Sequence, residues 1–151
     1  MSAAASFSTR LGRRRSGASD MTTADRSRIM RAVKSRDTGP ELLVRRLTHR
    51  MGYRYRLHRS DLPGKPDLAF PGRRAAIFVH GCFWHGHSCK RGARAPKTNA
   101  AYWSAKVVGN AARDAEQANK LKRLGWRVLV LWECELKDEH RLTAKIRRFL
   151  R

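Results

Sequence analysis

The segment DLAFPGRRAAIFVH, residues 67–80, contains two short apolar stretches separated by a turn sequence. Residues 67–70 and 75–80 have the length and composition of β-strands, and Pro71-Gly72-Arg73 between them is typical of a tight turn. A tight turn joins antiparallel strands, because a parallel return needs a crossover of about a dozen residues or more. The segment therefore predicts an antiparallel pair, with Asp67 opening one strand beside the end of the other.

Strand patterns also lie on both sides of this pair. Residues 53–57 precede it, and residues 126–132 form a nearly continuous apolar run, which is typical of a strand buried on both faces. A helix predicted at residues 101–124 separates the pair from this last strand, and Gly125 ends that helix. Because a long helical crossover permits a parallel return, the sequence predicts a mixed β-sheet.

Helical patterns account for most of the remaining residues. Thr38-Gly-Pro-Glu41 is a capping box with proline in the first turn, and Gly52 closes the helix that it starts. Residues 23–34 predict an earlier short helix, and residues 138–150 a last one. The inward-facing residues of the last helix are expected to be Leu142, Ile146 and Phe149. The predicted fold class is therefore α/β, a mixed sheet flanked by helices.

The chain is strongly basic, with 34 lysines and arginines against 12 acidic residues and a net charge of +22. The first twenty residues hold four arginines and one aspartate, a charge of +3, so residues 21–151 carry +19. A surface this positive repels itself unless it meets a polyanion, which predicts binding to nucleic acid. Residues 1–20 predict a disordered basic extension, with Met21 as a plausible start of a single domain, residues 21–151.

Cysteine content and hydropathy bear on the compartment. Three cysteines, an odd number, without a secretory signal argue against a disulfide framework and favour metal binding or reduced thiols. No apolar run approaches the ~18 to 20 residues of a membrane span. We therefore expect a cytoplasmic protein that does not enter a membrane.

Metal-ligand residues concentrate in one short stretch, which contains His80, Cys82, His85, His87 and Cys89. His87 and Cys89 can supply two ligands from one loop, and Cys134, after the last predicted strand, a third ligand of a tetrahedral zinc site. The predicted fourth is Asp114, because it shares an apolar helical face, where a carboxylate needs a partner or a metal. Cys82 is an alternative fourth ligand. The pattern is also compatible with a salt bridge between Asp114 and an arginine, and with Cys82 as a buried reduced thiol.

Five blocks of sequence together resemble one enzyme family. They are FVHGCFWHGHSC (78–89), DRSRIMRAVKSRDT (25–38), LPGKPD (62–67), Arg113-Asp114 and GWRVLVLWECEL (125–136). They resemble the motifs of the very short patch repair endonucleases, and the resemblance covers essentially all of residues 22–137. The resemblance implies a restriction-endonuclease-like core. It also implies a cut of one strand beside the thymine of a T:G mismatch, which arises when 5-methylcytosine deaminates.

The resemblance further implies a role for individual residues. Asp67 would hold catalytic Mg²⁺, His85 would be the catalytic histidine, His80 a further active-site histidine, and Glu41 the acid that orders metal-bound water. A structural zinc would be bound by His87, Cys89, Asp114 and Cys134. Val79 stands where the family has a threonine at a metal contact, so its backbone carbonyl is expected to be the ligand. Glu41 has the capping box as an alternative role.

Mismatch recognition is expected to use apolar wedges and basic side chains. Phe83 and Trp84 lie together beside the histidines, where they either unstack bases or fill the core. By resemblance, Met30 and Val33 enter DNA from the other groove. The expected phosphate contacts are Lys90, Arg91, Arg94 and Lys97.

Two functions are consistent with these features. The first is a mismatch endonuclease that uses Mg²⁺ and zinc and acts on double-stranded DNA with a T:G mismatch. A monomer suits a one-strand cut, and the family's companions include mismatch-repair proteins and a cytosine methyltransferase. The alternative is a non-catalytic, zinc-containing module that binds DNA mismatches, which would need neither Asp67 nor His85.

Overall fold

The computed structural model describes residues 36–94 and 96–151. Within them, four strands form one sheet in the order β1 (Arg56–Leu57), β2 (Leu68–Phe70), β3 (Ala75–His80) and β4 (Arg127–Trp132). The β1–β2 and β2–β3 pairs are antiparallel, and β3 and β4 are parallel. The predicted mixed sheet is confirmed, and a 3₁₀ turn at Pro71–Arg73 joins β2 to β3 as expected.

Three helices flank the sheet in the described residues. They are α1 (Gly39–Arg50), α2 (Ala100–Arg123) and α3 (Glu139–Leu150). A short 3₁₀ helix, Glu133–Lys137, separates β4 from α3. None of these helices combines the length and the apolar character that crossing a membrane requires. The predicted extension 1–20 and helix 23–34, with Met30 and Val33, lie outside the described residues.

Helix α1 starts where the capping box predicts, but only half of the box forms. Thr38 is the N-cap, and its Oγ1 accepts a hydrogen bond from Glu41 N at 3.4 Å. The Glu41 carboxylate does not return to Thr38; its Oε2 accepts from Asp37 N at 3.0 Å and from Arg45 Nη2 at 3.3 Å. Arg45 lies one helical turn after Glu41 on the same face of the helix. The Glu41 carboxylate therefore pairs with the Arg45 guanidinium and not with the cap.

Two apolar clusters lie on opposite faces of the sheet. Helices α1 and α3 pack on one face, with a core of Val44, Leu47, Leu68, Phe70, Ile77, Leu131, Leu142, Ile146 and Leu150. Helix α2 covers the other face through Leu121, which packs near Ala69 and Ala76. Because successive side chains of a strand alternate between faces, one run of apolar residues in β2 or β3 serves both layers.

One expectation about burial was wrong, and a second was confirmed except in one detail. Strand β4 is not buried on both faces, since Leu131 alone is fully buried and Val128, Leu129 and Val130 are half-buried. β4 has β3 as its one partner in the described sheet, so its other edge lacks a covering strand. In α3, Leu142 and Ile146 are buried as expected and Leu150 is buried with them, whereas Phe149 is half-buried at the rim of the core, under the Arg127 guanidinium.

Candidate active site and metal centre

Asp67 is held at the end of β3 by the antiparallel pairing that the turn imposes. It directly precedes β2, and its Oδ2 accepts a hydrogen bond from the Val79 N–H at 2.7 Å. The preceding loop is anchored on α2, because Gly64 has φ +75° and a Cβ at that position would lie 2.9 Å from Gln117 Cβ. Only glycine adopts this conformation and this close approach without strain. The carboxylate therefore lies beside the Val79 backbone, as the sequence predicts.

The surroundings of Asp67 shift the pKa of its carboxyl group. Burial raises the pKa of the Asp67 carboxyl to about 6, the Val79 hydrogen bond opposes this rise, and the nearby Glu41 carboxylate adds to it. A buried carboxylate whose ionised form is disfavoured gains strongly from a nearby cation. An Asp67 oxygen and the Val79 carbonyl are hard ligands of the kind that Mg²⁺ prefers.

His85 and Asp114 form a hydrogen-bonded pair. His85 Nδ1 lies 2.5 Å from Asp114 Oδ2. Because a carboxylate only accepts, the proton is on Nδ1, and Nε2 keeps a lone pair that can accept another proton. The Asp114 side chain is about a third exposed, at 31%, and it comes from the face of α2 that the helical spacing predicts.

His80 completes this arrangement at the end of β3. Its ring stacks on the His85 ring, with centroids 3.9 Å apart and planes 6° apart. Burial is the main cause, and the nearby His85 a smaller one, of a lowered pKa of His80, about 4, which the Asp114 carboxylate partly opposes. His80 is therefore neutral at neutral pH, and it links His85 to the Val79–Asp67 contact one residue away.

A second cluster, the thiol cluster, consists of Cys82, His87, Cys89 and Cys134. One ligand atom from each lies within 4.8 Å of all the others. The loop that carries the first three is closed by His87 N, which donates to Cys82 O at 3.0 Å. None of these cysteines forms a disulfide. Three sulfurs and one imidazole nitrogen are a donor set that tetrahedral zinc takes, so the cluster fits a metal of this kind.

The structure brings Cys82 to the thiol cluster in the place expected for Asp114. Asp114 contacts His85 instead, whereas Cys82 is buried within 4.8 Å of the other three ligand atoms. Helical spacing identified the face on which Asp114 lies but not which of two neighbouring clusters that face meets. The alternative fourth ligand, Cys82, agrees with the geometry.

Glu41 lies in a small charged network, the Arg45 network, made of Asp37, Glu41, Arg45 and His58. The Glu41 side chain is buried, and so is that of Arg45, which contacts both acids and His58. The sequence interpretation missed Arg45 and His58. The available signal was the spacing of Arg45 four residues after Glu41, which on a helix pairs the two side chains.

Phe83 and Trp84 are half-buried and pack with a third aromatic ring, Trp103, at the start of α2. Ring centroids lie 5.1 Å apart for Phe83–Trp84 and 5.6 Å apart for Trp84–Trp103. The Lys106 ammonium lies 5.8 Å from the Trp103 centroid. The sequence interpretation did not assign Trp103 or Lys106 to this group. These half-buried aromatics beside a cation form a surface on which bases can stack.

The four basic residues expected at phosphates are exposed on the loop after the thiol cluster. They are Lys90, Arg91, Arg94 and Lys97. Arg91 Nη1 also pairs with Glu133 Oε1 at 2.6 Å, which ties this loop to the residues beside Cys134. The positive charge of these side chains therefore begins directly after Cys89, a residue of the thiol cluster.

Comparison with known proteins identifies the family. The family model described as DNA mismatch endonuclease Vsr matches residues 19–91. The type II nicking enzyme V.XorIIP of Xanthomonas oryzae is 51% identical over 132 residues, 87% of this chain and 96% of that protein. V.NmeAIP of Neisseria meningitidis is 39% identical over 86% of this chain and 92% of its own length. The DNA mismatch endonuclease Vsr of Escherichia coli is 41% identical over 80% of this chain and 76% of its own. This chain belongs to the Vsr family of DNA mismatch endonucleases.

Proposed function

We propose that this protein nicks one strand of duplex DNA beside the thymine of a T:G mismatch and so initiates very short patch repair. Family membership supports the endonuclease function. The observation that carries the proposal is the continuous series of contacts from Asp67 through Val79 and His80 to the His85–Asp114 pair. These contacts bring the Asp67 carboxylate, which could bind a cation, and the His85 ring, which could accept a proton, to one end of β3. We also propose that the mixed sheet is the restriction-endonuclease-like core and that one monomer makes the cut.

Asp67 and the Val79 carbonyl would hold Mg²⁺. The side chain of Val79 is a hydrocarbon, so only its backbone oxygen can serve. When bound there, Mg²⁺ neutralises the phosphate and stabilises the leaving 3′-oxygen. The hydrogen bond from Val79 N–H fixes one carboxylate oxygen of Asp67 in place. Glu41 would orient water through the oxygen that is not bound to Arg45.

His85 is the group that accepts a proton. Asp114 holds its Nδ1 proton and therefore leaves Nε2 free to take a proton from the attacking water. The developing imidazolium is stabilised by the Asp114 carboxylate, as in other histidine–carboxylate pairs. His80, neutral and stacked on His85, fixes the plane of the ring without adding a competing charge.

The His85–Asp114 pair leads to a prediction with two separable readouts. His85→Ala should lower the single-turnover nicking rate by about 10² to 10⁴-fold, the usual contribution of a positioned proton acceptor. Asp114→Asn should lower it as well, because an amide does not enforce the Nδ1 proton. Both rates are measured with end-labelled T:G duplex.

Zinc content separates this role of Asp114 from a ligand role. Asp114→Asn should retain the wild-type zinc content by atomic absorption, because Cys82 completes the thiol cluster. Glu116→Gln, an exposed position on the same helix, is the control and should leave both rate and zinc content unchanged. Loss of zinc from Asp114→Asn would contradict the assignment.

We propose that the thiol cluster holds a structural zinc. Bound there, the ion would tie the loop of residues 82–89 to Cys134 beyond β4. This loop also carries Phe83, Trp84 and His85, so the cluster would fix the catalytic histidine and the aromatic group together. The geometry supports Cys82, His87, Cys89 and Cys134 as its four ligands.

Phe83 and Trp84, with Trp103, would act as the wedge at the mismatch. Opening a base step costs a few kcal/mol, and a mismatched step costs less. Asn110 Nδ2 donates to Trp84 O at 2.9 Å, which holds the loop in position against α2. Lys90, Arg91, Arg94 and Lys97 would bind phosphates near the cut. The expected contributions of Met30 and Val33 concern residues outside the described ranges.

The function is tested by strand-resolved nicking. Duplexes that differ only in T:G or T:A at one position are labelled separately on each strand and incubated with Mg²⁺ or with EDTA. We expect a nick in the thymine strand of the T:G duplex alone, and only with Mg²⁺. Binding to the T:G duplex without any metal-dependent nick would instead show a non-catalytic mismatch-binding module.

A further inference from the structure

A lysine lies close to the candidate active site. Lys65 is two residues before Asp67 in the segment LPGKPD, residues 62–67. Consecutive Cα atoms are at most about 3.8 Å apart, so the Cα atoms of Lys65 and Asp67 lie within about 7.6 Å of each other. The flexible four-carbon stem of lysine spans such a gap. The Lys65 ammonium can therefore reach a phosphate that is bound beside Asp67.

The backbone that precedes Lys65 is fixed against helix α2. Gly64, with φ +75°, approaches this helix so closely that a Cβ on it would lie 2.9 Å from Gln117 Cβ. The same Cβ would lie 3.2 Å from the Phe78 ring of β3. Gln117 is three residues after Asp114, and residues three apart share a helix face. Lys65 therefore lies beside the face of α2 that carries Asp114.

The backbone conformation of Lys65 is one that a lysine rarely adopts. Its φ is +48°, in the left-handed region, where a Cβ crowds the following carbonyl oxygen and glycine or asparagine is favoured. The turn holds this conformation, because Lys65 N donates to Leu62 O at 3.2 Å. In proteins, strained residues of this kind cluster at functional sites.

The Lys65 side chain is exposed, and no neighbouring acid neutralises its charge. Within residues 36–94 and 96–151, no acidic group lies at ion-pair distance from its ammonium, whereas Arg59 in the same loop pairs with Asp61. An exposed cation without an acidic partner is free to bind a phosphate and to release the counterions around it.

We propose that the Lys65 ammonium binds the phosphate that is cut. The Asp67 carboxylate is the proposed ligand of a divalent ion, and Lys65 adds a second positive charge beside the same phosphate. Both charges stabilise the negative charge on the phosphate oxygens during the cut. The inference rests on the proposed function, since it takes the phosphate beside Asp67 as the one that is hydrolysed.

The binding test uses Lys65→Asn, which removes the charge and suits the left-handed backbone. Affinity for two T:G duplexes is measured by fluorescence anisotropy without Mg²⁺. One duplex is unmodified, and the other carries an uncharged methylphosphonate at the phosphate that wild type cuts. Lys65→Asn should bind the unmodified duplex about three- to tenfold more weakly than wild type does. Both proteins should bind the methylphosphonate duplex equally, because the partner of Lys65 is then uncharged.

Nicking and thermal unfolding separate this role from a structural one. The single-turnover rate of Lys65→Asn at saturating protein should be lower than that of wild type by about tenfold or more. Its Tm should equal that of wild type or be up to about 3 °C higher, because asparagine relieves the backbone strain. Lys65→Arg keeps the charge and should keep the rate within about threefold of wild type. A purely structural residue would instead lose rate and Tm together.

The matched control is Arg74→Asn. Arg74 is also exposed and left-handed, with φ +46°, but it precedes β3, whereas His80 ends this strand. Six strand residues at about 3.3 Å each place Arg74 about 20 Å from the end of β3 that carries the site. Arg74→Asn should therefore leave the nicking rate, and the difference in affinity between the two duplexes, as in wild type.

Two results would overturn the inference. One is a folded Lys65→Asn protein that binds the unmodified duplex as tightly as wild type does, and the other is an equal loss of affinity for both duplexes. Wild type that binds the T:G duplex but does not nick it with Mg²⁺ would contradict the proposed function itself. With wild type active, either of the first two results contradicts the role of Lys65 alone.

Discussion

Asp67→Asn should abolish nicking of a T:G duplex, lowering the single-turnover rate by on the order of 10³-fold or more. The amide is nearly the same size but carries no charge, so the site loses its affinity for the cation. It can still accept the Val79 hydrogen bond through its oxygen, so the fold should persist. Affinity for the T:G duplex, measured by fluorescence anisotropy with EDTA, should stay within about tenfold of wild type, because phosphate-binding side chains dominate affinity.

The matched control for this substitution is Asp61→Asn. Asp61 lies in the same loop, is exposed and pairs with Arg59, so removing its charge should leave the rate near that of wild type. If Asp67→Asn still nicks at more than about a tenth of the wild-type rate, the Asp67 carboxylate is not required for catalysis. Equal losses in both variants would indicate a general effect of charge on DNA binding.

Loss of the thiol cluster should have the largest effect on stability. Cys134→Ser and Cys82→Ser should each release zinc and destabilise the fold by on the order of 3–5 kcal/mol, a fall in Tm of roughly 10 °C or more. The thiol cluster joins two distant parts of the chain, residues 82–89 and Cys134, and metal binding energy is available only when both are folded. The measurements are zinc per chain by atomic absorption and thermal unfolding by circular dichroism.

The control for the thiol cluster is Ser88→Ala, at an exposed position between two of the ligands. It should keep zinc content and Tm unchanged. Chelation of wild type with a strong zinc chelator should reproduce the Tm of the cysteine variants. A stable Cys82→Ser protein with full zinc would show that Cys82 is a buried thiol outside the ligand set.

The parts of the fold that depend on neighbouring residues in the chain, such as turns and helix starts, could be predicted from the sequence. The hairpin of β2 and β3 follows from the short turn at residues 71–74, and its pairing places Asp67 beside Val79. The start of α1 at Thr38 follows from proline and a capping side chain. Family resemblance added the catalytic roles, and family membership is confirmed by the comparisons.

The pairings that depend on packing between distant elements were not predictable. Helical spacing identifies the face of Asp114, but the choice between His85 and the thiol cluster depends on where α2 sits relative to the loop of residues 82–89. Arg45 is one of 34 basic residues, and its spacing from Glu41 indicates a pairing on the helix but not that the pair is buried. Its burial beside Glu41 appears only when α1 is packed on the sheet.

The two proposed metal sites are tested most directly by anomalous diffraction from a crystal soaked in Mn²⁺, recorded on both sides of the zinc edge. We expect a zinc peak among Cys82, His87, Cys89 and Cys134. We also expect a separate manganese peak within about 2.5 Å of an Asp67 oxygen and of the Val79 carbonyl. A manganese peak found only away from Asp67, or a zinc ion bound by Asp114, would contradict these assignments.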